Sequence, residues 1–499
     1  MTASPHHRVI IVGAGFSGIG MAIRLRQTGE RDFIVLEREA GVGGTWRVNN
    51  YPGCACDVPS HLYSFSFAPN PTWTRMFAPQ PEIRSYIEQC CERFGLAPHL
   101  QFNTTIASMT WDAGAARWQV QASDGRAWTC DALVLAVGGL STPSYPAIAG
   151  LETFAGKTFH SQQWDHSYDL VGKRVAVIGT GASAIQFVPQ IQPLVAQLDV
   201  YQRTPPWILP KPDRAITGRE QRWFSKLPML QQLYRGWIYS QLEARATFFV
   251  KAPAVMKLAG QLARNHIKRQ LPNPTLQAKV TPNYTIGCKR VLISNDYYPA
   301  LAQPNCELIT DNIREIRPHS IVTADGRERA VDAIIFGTGF RASAPIAKGL
   351  VAGINGQDLV DAWPNGPEAY KGTTVRGFPN MFILMGPNTG LGHNSMLYMI
   401  ESQITYVLGA LAFLQRAGAH ASIDVRAADQ HAYNQALQTK ANRTVWNQGG
   451  CQSWYLHPET GRNVTLWPDY TWAFRRLTKR FDPNAYQCTE QQASQRGPS

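Results

Sequence analysis

The sequence contains no apolar run that approaches the roughly 20 residues needed by a membrane-spanning helix. It also leaves no room for a cleavable signal peptide, because the buried-strand pattern Val9–Val12 directly follows the short polar start Met1–Arg8. These two absences predict a protein without a transmembrane segment that stays in the cytoplasm.

Paired cysteine motifs are missing as well. The nine cysteines are odd in number and scattered along the chain, and no pair has the CxxC spacing that suggests zinc. We therefore expect no metal site, and we expect the cysteines to be mostly small core residues in a reducing compartment.

Acidic residues are scarcer than basic ones, with 35 Asp and Glu against 48 Lys and Arg, so the formal net charge is +13. Such a surplus suits nucleic acid, an anionic membrane surface or a polyanionic cofactor. No nucleic-acid-binding module accompanies the charge, so we predict no nucleic-acid partner. The length of 499 residues and the ordinary globular composition favour two or three domains.

A glycine-rich turn links a strand pattern to a helix pattern near the N-terminus. Gly13-Ala-Gly15-Phe-Ser-Gly18 fits GxGxxG, which allows a tight turn, close approach to a pyrophosphate and helix packing. Glu37 ends the next strand pattern, where a carboxylate binds ribose hydroxyls and repels a 2′-phosphate. The unit predicts an FAD or NAD site, and a purely structural βαβ unit is the alternative.

The same order of elements recurs in the middle of the chain. Gly179-Thr-Gly181-Ala-Ser-Ala184 fits GxGxxA, and the following strand pattern ends at Gln202-Arg203-Thr204. A cation replaces the carboxylate here, and Arg203 suits the 2′-phosphate of NADP, a solvated surface arginine being the alternative. The first site, with its carboxylate at the strand end, suits FAD, and the second site, with its cation there, suits NADPH. Hydride would pass from NADPH to FAD.

The two fingerprints predict an α/β protein with two Rossmann-like dinucleotide-binding domains. We expect residues 1–150 to begin the FAD domain, residues 151–340 to form the NADP domain, and residues 341–499 to complete the FAD domain. Residues 214–280 show long helical patterns without a nucleotide motif, which predicts a helical insertion in the NADP domain. The polar tail after about Gln487 is expected to be mobile.

Two further motifs carry a resemblance to a known family. The segment Gly43–Asp57 matches [AG]GxWxxxx[FY]P[GM]xxxD, and Phe154, Gly156, His160 and Trp164 occupy the fixed positions of FxGxxxHxxxW. The chain thereby resembles the type I Baeyer–Villiger monooxygenases, which are related to the flavin-containing monooxygenases. The second motif then belongs to the linker between the domains, and we expect His160 to be buried and hydrogen-bonded there.

The resemblance implies permanently bound FAD, NADPH as reductant and O₂ as oxidant. A C4a-peroxyflavin would attack a ketone and insert one oxygen atom beside the carbonyl, giving an ester or lactone. Arg290 resembles the family's cation at the flavin oxygen, Asp57 the acidic residue that positions it, and Lys289 the lysine near the NADP phosphate. A surface ion pair between Arg290 and Asp57 is the structural alternative.

We also predict cofactor contacts at other residues in and near these motifs. They are Phe16, Ser17, Gly44, Thr45, Trp46, Tyr63, Ile106, Thr180, Ala182, Ser183, Gln186, Thr204 and Asn388.

Two segments depart from the family pattern. Gly386–Met396 looks more like flavin-containing monooxygenases that oxidise nitrogen or sulfur, so N- or S-oxygenation is one alternative. Ser453-Trp454 resembles the segment whose tryptophan folds over NADP, but it lacks the usual glycine-rich continuation, so ordinary core packing of Trp454 is equally open.

The other alternative is an NADPH oxidase or reductase without oxygen insertion. Disulfide reduction is disfavoured, because Trp46 stands where the first redox cysteine is expected and Cys54-Ala-Cys56 has the wrong spacing. The aromatic content of the insertion predicts a small apolar ketone or heteroatom-containing substrate. The sequence does not indicate an oligomeric state.

Overall fold

The computed structural model describes residues 4–250, 256–341 and 346–489. The strands in chain order are β1 (His6–Val12), β2 (Phe33–Leu36), β3 (Leu100–Gln101), β4 (Ile106–Asp112), β5 (Arg117–Ala122), β6 (Ala127–Leu135), β7 (Lys157–His160), β8 (Arg174–Ile178), β9 (Gln197–Tyr201), β10 (Ile208–Leu209), β11 (Leu292–Ile293), β12 (Cys306–Ile309), β13 (Ile313–Arg317), β14 (Ser320–Thr323), β15 (Glu328–Ala330), β16 (Ala333–Phe336), β17 (Val351–Ala352), β18 (Met381–Ile383), β19 (Ser422–Val425) and β20 (Tyr486–Thr489).

The α-helices in chain order are α1 (Phe16–Gln27), α2 (Thr45–Val48), α3 (Gln80–Arg93), α4 (Ala184–Ile191), α5 (Gly218–Lys226), α6 (Pro228–Val250), α7 (Met256–Gln270), α8 (Pro274–Val280), α9 (Tyr297–Leu301), α10 (Met396–Ala417), α11 (Ala427–Ala441), α12 (Val445–Gln448) and α13 (Thr471–Thr478).

The first large sheet has eight strands in the order β17-β4-β5-β6-β1-β2-β3, with β18 also paired to β6. Its centre is parallel, whereas β4, β5 and β6 form an antiparallel meander. All side chains of Val9–Val12 in β1 are buried, as expected for a parallel strand covered on both faces. The strands come from residues 6–135 and again from residues 351–383.

The second large sheet has five strands in the order β12-β9-β8-β16-β7, and every neighbouring pair is parallel. Its strands all lie within residues 157–336. The units β1-α1-β2 and β8-α4-β9 each join two parallel neighbouring strands through a helix. The predicted α/β class with two Rossmann-like units is therefore confirmed.

The insertion lies between β10 and β11, which pair with each other at its base. Its helices α5 to α8 cover most of residues 218–280, which confirms the helical insertion in the part of the chain that the structure describes. Helix α5 begins with a capping box, because the Thr217 hydroxyl accepts from the Glu220 N–H while the Glu220 carboxylate accepts from the Thr217 N–H.

Helix α10 is long and apolar enough to cross a membrane by length and composition alone, but 67% of its most apolar stretch is buried inside the protein. Its Glu401 and Gln403 side chains are buried and hydrogen-bonded to neighbouring loops. These properties describe a core helix. Because Glu401 and Gln403 interrupt its apolar residues, this helix contains no continuous apolar run of roughly 20 residues.

The end of the described chain differs from the predicted mobile tail. Residues 487–489 belong to β20, which pairs antiparallel with β19 through Ser422↔Thr489 and Val425↔Tyr486. Backbone pairing orders these three polar residues although their side chains are exposed. The rest of the predicted tail, residues 490–499, lies outside the described residues.

Candidate active site

A single cavity of about 1370 Å³ connects the glycine turns of both large sheets. Most of the predicted cofactor-contact residues line it, namely Gly13, Gly15, Phe16, Ser17, Glu37, Gly44, Thr45, Trp46, Asp57, Tyr63, Ile106, Gly179, Thr180, Gly181, Ala182, Ser183, Gln186, Arg203, Thr204, Lys289 and Arg290. Gly18, Ala184 and Asn388 are not among the lining residues.

The first glycine turn lies against the end of β6. Gly13 has φ +105°, and a Cβ there would lie 2.7 Å from the carbonyl oxygen of Ala136. Gly18 faces inward instead of towards the cavity, because a Cβ at this position would lie 1.8 Å from the Gly13 carbonyl oxygen. This packing lets helix α1 begin with its N-terminal N–H groups at the cavity, which suits a pyrophosphate.

Glu37 is buried and holds the same turn in place. Its carboxylate accepts from the Ala14 N–H at 2.6 Å and from the Glu39 N–H at 2.9 Å. The residue lies at the carboxyl end of β2 and lines the cavity. A negative charge therefore stands where the adenosine ribose of a bound dinucleotide is expected.

The second glycine turn repeats this geometry at the end of β16. Gly179 has φ +103°, and a Cβ there would lie 2.5 Å from the Gly337 carbonyl oxygen. Ala184 packs towards Gly337, where it keeps α4 close to the sheet, so its methyl group does not face the cavity. At both turns the first glycine therefore leaves no space for a side chain.

Two cations, Arg203 and Lys289, line the cavity beside the second turn. Neither has an ion-pair partner within residues 4–250, 256–341 and 346–489. Burial, and then repulsion by Arg203, lower the pKa of Lys289. Two unneutralised positive charges at one position are suited to a phosphate dianion, so this part of the cavity fits the 2′-phosphate of NADP.

Aromatic rings and buried thiols form the wall below the first turn. The Trp46 indole N–H donates to the Tyr63 hydroxyl at 3.1 Å, and Tyr63 also packs edge-on against Phe16. Cys54 and Cys56 are both free and buried, and burial raises the pKa of Cys54 to about 12. Since Cys54 stays a protonated thiol at neutral pH, the wall is not suited to thiolate chemistry.

Gln186 connects the two nucleotide units across the cavity. Its side-chain oxygen accepts from the Tyr51 hydroxyl at 2.9 Å, and its amide donates to the Ala55 carbonyl oxygen at 3.0 Å. Gly53 is required in the same loop, because a Cβ at its φ of +77° would lie 2.6 Å from the Gln186 carbonyl oxygen. The motif containing Tyr51, Pro52 and Gly53 therefore forms the contact surface for helix α4.

Arg290 and Asp57 form an ion pair inside the cavity. The Arg290 Nε and Nη2 groups donate to the same Asp57 oxygen at 2.9 and 2.5 Å. Both residues line the cavity, and their side chains are 35% and 29% exposed. Attraction by Asp57 raises the pKa of Arg290, so the guanidinium keeps its charge at any working pH. The pair is not a contact on the outer surface.

The second family motif lies where the chain passes between the sheets. His160 is fully buried; one ring nitrogen pairs with the Gly339 carbonyl oxygen at 3.0 Å, and the other accepts from the Gln162 N–H at 3.1 Å. Burial lowers the pKa of His160, so the ring is neutral. Trp164 packs between Phe159 and Phe187. None of these rings lines the cavity.

The first two fixed residues of that motif, Phe154 and Gly156, also have structural roles. Gly156 lies so close to the Asp332 carbonyl oxygen that a Cβ would approach it to 2.5 Å, and Phe154 packs on the core beside β13 and β16.

Segment 386–396 forms a wall of the cavity, but the predicted contact residue Asn388 does not line it. The Asn388 amide turns away and donates to the carbonyl oxygens of Asn463 and Leu466, at 2.8 and 3.2 Å. Asn394, which the sequence analysis did not select, lines the cavity and donates to the Glu243 carboxylate of α6 at 2.6 Å. No local pattern relates Asn394 to Glu243, since 151 residues separate them.

Glu243 joins the insertion to this wall. It also accepts from the Thr471 N–H at 2.6 Å and from the Thr471 hydroxyl at 2.8 Å, and His393 lies 3.8 Å away. Burial alone would raise the pKa of Glu243, but the nearby His393 and the hydrogen bonds from Thr471 and Asn394 leave it below the ordinary value. A buried, ionised carboxylate thus fixes α6 against the active-site loop.

Trp454 lines the cavity and is 46% exposed, so it is not packed in a core.

A disulfide between Cys288 and Cys451 ties the segment of Trp454 to the loop that carries Lys289 and Arg290. The sequence analysis did not predict this bond, because the two cysteines are 163 residues apart and belong to no spaced pair. Five further cysteines, Cys54, Cys56, Cys90, Cys91 and Cys130, are free and buried, as expected for core thiols, whereas Cys306 is half-buried and Cys488 is exposed.

Comparison with known proteins gives the same assignment as the geometry. A family model described as flavin-binding monooxygenase-like matches residues 6–220. A Baeyer–Villiger monooxygenase of Pseudomonas aeruginosa is 62% identical over 487 residues, covering 98% of this chain and 92% of that protein.

Solved structures are similar along the whole length. The NADP⁺-bound cyclohexanone monooxygenase from Rhodococcus sp. Phi1 superposes with a TM-score of 0.87 at 26% identity, covering 98% of this chain and 100% of the other. The complex of OTEMO with FAD and NADP has the same TM-score of 0.87 at 25% identity, with the same coverage of 98% and 100%. The chain is an FAD- and NADPH-dependent flavoprotein monooxygenase, and it belongs to the Baeyer–Villiger monooxygenase family.

Proposed function

We propose that the chain inserts one oxygen atom of O₂ beside the carbonyl of a small apolar ketone, giving an ester or lactone. The observation that carries the proposal is the Arg290–Asp57 ion pair in a cavity shared by both glycine turns. The P. aeruginosa relative, similar over nearly the whole chain, supports this chemistry. We further propose the cytoplasm as its compartment, which the five free and buried cysteines support.

We assign FAD to the turn Gly13–Gly18 and NADP to the turn Gly179–Ala184. Glu37 would bind the ribose of FAD, and its charge disfavours a 2′-phosphate there. Arg203 and Lys289 would bind the 2′-phosphate of NADP, since neither forms an ion pair within the described ranges. The domain limits at residues 150 and 340 follow from the same assignment.

Bound FAD, reduced by NADPH, supplies the activation of O₂. Arg290 places a permanent positive charge at the cavity wall, where it would stabilise the anion that develops during oxygen transfer. Asp57 fixes the guanidinium through two hydrogen bonds to one oxygen, so the cation is held in place before the reaction.

The test is coupled oxidation by the purified holoenzyme. NADPH consumption, H₂O₂ and product are measured together with a panel ketone and a panel thioether of similar size. We expect ester formation to account for most of the NADPH used with the ketone. Product from the thioether alone would favour N- or S-oxygenation, and H₂O₂ equal to the NADPH consumed with both would show an oxidase.

A further inference from the structure

The outer side of helix α6 exposes large apolar side chains to solvent. Met229, Leu230, Leu233, Trp237 and Phe248 are 38% to 76% exposed. Buried residues of the same helix, such as Ile238, Ala246 and Phe249, face the protein. Monomeric proteins normally present polar residues on the outward side of such a helix, so this side has the character of a binding surface.

The exposed residues share one side because of helix geometry. With 3.6 residues per turn, positions 229, 233, 237, 244 and 248 lie within about a third of the circumference, together with 230, 240 and 241. These eight positions carry Met, Leu, Trp, Ala, Phe, Leu, Ser and Gln, and none carries a charge. The apolar stripe therefore runs along most of the helix.

Helices α5 and α7 of the insertion also expose large apolar side chains. Trp223 in α5 and Leu227 at its end are 58% and 56% exposed, and Leu258 and Leu262 of α7 are 69% and 63% exposed. We call the exposed apolar residues of these helices the insertion face; they are Trp223, Leu227, Met229, Leu230, Leu233, Trp237, Phe248, Leu258 and Leu262.

The charged residues of the insertion are almost all positive. Residues 214–280 contain twelve Lys or Arg and two Glu, so they hold most of the chain's surplus of +13. Both acidic groups are neutralised or buried, since Glu220 pairs with Arg214 at 2.7 Å and Glu243 accepts buried hydrogen bonds. Exposed cations include Arg222 and Lys226 in α5 and Lys268 and Arg269 in α7.

We propose that the insertion face binds the surface of an anionic phospholipid bilayer. Tryptophan and leucine enter the interface between lipid headgroups and acyl chains, while lysine and arginine bind acidic headgroups. A second copy of the chain fits less well, because pairing two such faces would bring like charges together. The proposal is independent of the oxygenation chemistry, since no residue of the insertion face lines the cavity.

Co-sedimentation of the holoenzyme with vesicles tests the proposal. The vesicles are phosphatidylcholine mixed with phosphatidylglycerol, and phosphatidylcholine alone. We expect binding to the mixed vesicles that weakens with added salt and is much weaker on the neutral ones. Replacing two cations in Arg222→Gln/Lys226→Gln should weaken binding roughly tenfold to thirtyfold.

The variant Leu233→Glu/Trp237→Glu should lose at least tenfold in binding to the mixed vesicles, at unchanged FAD content. Its matched control is Val171→Glu/Leu194→Glu, which adds the same charge at residues that are 62% and 48% exposed outside the insertion. The control should bind nearly as the natural protein does. Failure of the natural protein to bind, or equal losses in both variants, would overturn the proposal.

Analytical ultracentrifugation without vesicles tests whether a second copy of the chain binds the insertion face instead. A dimer that Leu233→Glu/Trp237→Glu abolishes, together with no vesicle binding, would assign the face to a second copy and overturn the membrane assignment. If the variant and the natural protein sediment alike and the natural protein binds vesicles, the membrane assignment is supported.

Discussion

Arg290 and Asp57 are 233 residues apart in the chain, yet two nitrogens of the arginine donate to one carboxylate oxygen at 2.9 and 2.5 Å. The carboxylate comes from the loop after α2, and the guanidinium comes from the loop between α8 and β11, which follows the insertion. The pair therefore joins two distant parts of the chain inside the cavity that connects both glycine turns.

Replacing Arg290 should separate flavin reduction from oxygen insertion. In Arg290→Ala, we expect the anaerobic rate of flavin reduction by NADPH to stay largely intact, because hydride transfer does not need this charge. Ester formation should fall roughly 100-fold or more, since a fixed charge at a developing anion is lost. Arg84→Ala, which removes an exposed arginine paired with Glu88, is the control. Full product formation by Arg290→Ala would refute the assigned role.

Arg203 should discriminate NADPH from NADH. In Arg203→Ala, we expect the KM for NADPH to rise roughly 10- to 100-fold, because a charge-assisted hydrogen bond is worth about 1.5–3 kcal/mol. The KM for NADH should change little, since NADH lacks the 2′-phosphate. Steady-state kinetics with both cofactors measures the ratio, with Arg314→Ala as an exposed control. An equal loss for NADH and NADPH would place Arg203 elsewhere than at the phosphate.

Lys289 should make NADPH binding sensitive to alkaline pH. Burial and Arg203 lower its pKa from the ordinary 10.5, so its positive charge is lost at a lower pH than in an exposed lysine. The charged form exists below the pKa, and attraction for the phosphate therefore weakens as the pH rises. We expect the ratio of KM values for NADPH and NADH to increase towards alkaline pH, and to become flat in Lys289→Arg. A flat ratio in the natural protein would contradict this.

The close approach of Gly18 to Gly13 should be needed for FAD retention. In Gly18→Ala, the new methyl group would meet the Gly13 carbonyl oxygen at 1.8 Å, so the turn must shift. We expect loss of most bound FAD, measured as the ratio of flavin to protein absorbance. Gly236→Ala is the matched control, because nothing lies within 4 Å of a Cβ at that helical position. Full FAD content in Gly18→Ala would show that the turn can relax.

Much of this architecture follows from local sequence patterns. The turns at Gly13 and Gly179 were predictable because steric restriction acts within a few residues and leaves a regular glycine spacing. The Arg290–Asp57 pair was inferred from a family resemblance, since residues so distant in the chain share no periodicity.

Other contacts correspond to no local sequence pattern, so they could not be predicted from the sequence. The Glu243–Asn394 hydrogen bond and the Cys288–Cys451 disulfide depend on how the insertion and the late loops pack. Asn388 shows the converse case, because its position in a conspicuous motif suggested a cofactor contact, whereas its amide satisfies two backbone carbonyls. Buried polar groups must find partners, and those partners are set by tertiary packing.

Glu243 should couple the insertion to the active-site wall. In Glu243→Ala, the Asn394 amide and the Thr471 N–H lose their acceptor, at a cost of about 1–3 kcal/mol for each unsatisfied buried group. We expect the temperature of flavin release to fall by several degrees, and the KM for ketone to rise because Asn394 lines the cavity.

Two variants separate these effects. Glu243→Gln keeps the shape and one acceptor oxygen, so it should recover part of the stability. Glu88→Ala removes an exposed carboxylate that pairs with Arg84, and such surface pairs contribute about 0.3–0.5 kcal/mol, so it should leave both quantities unchanged. If Glu243→Ala lowers stability without raising the KM, the carboxylate holds the insertion in place but does not position Asn394 for the substrate.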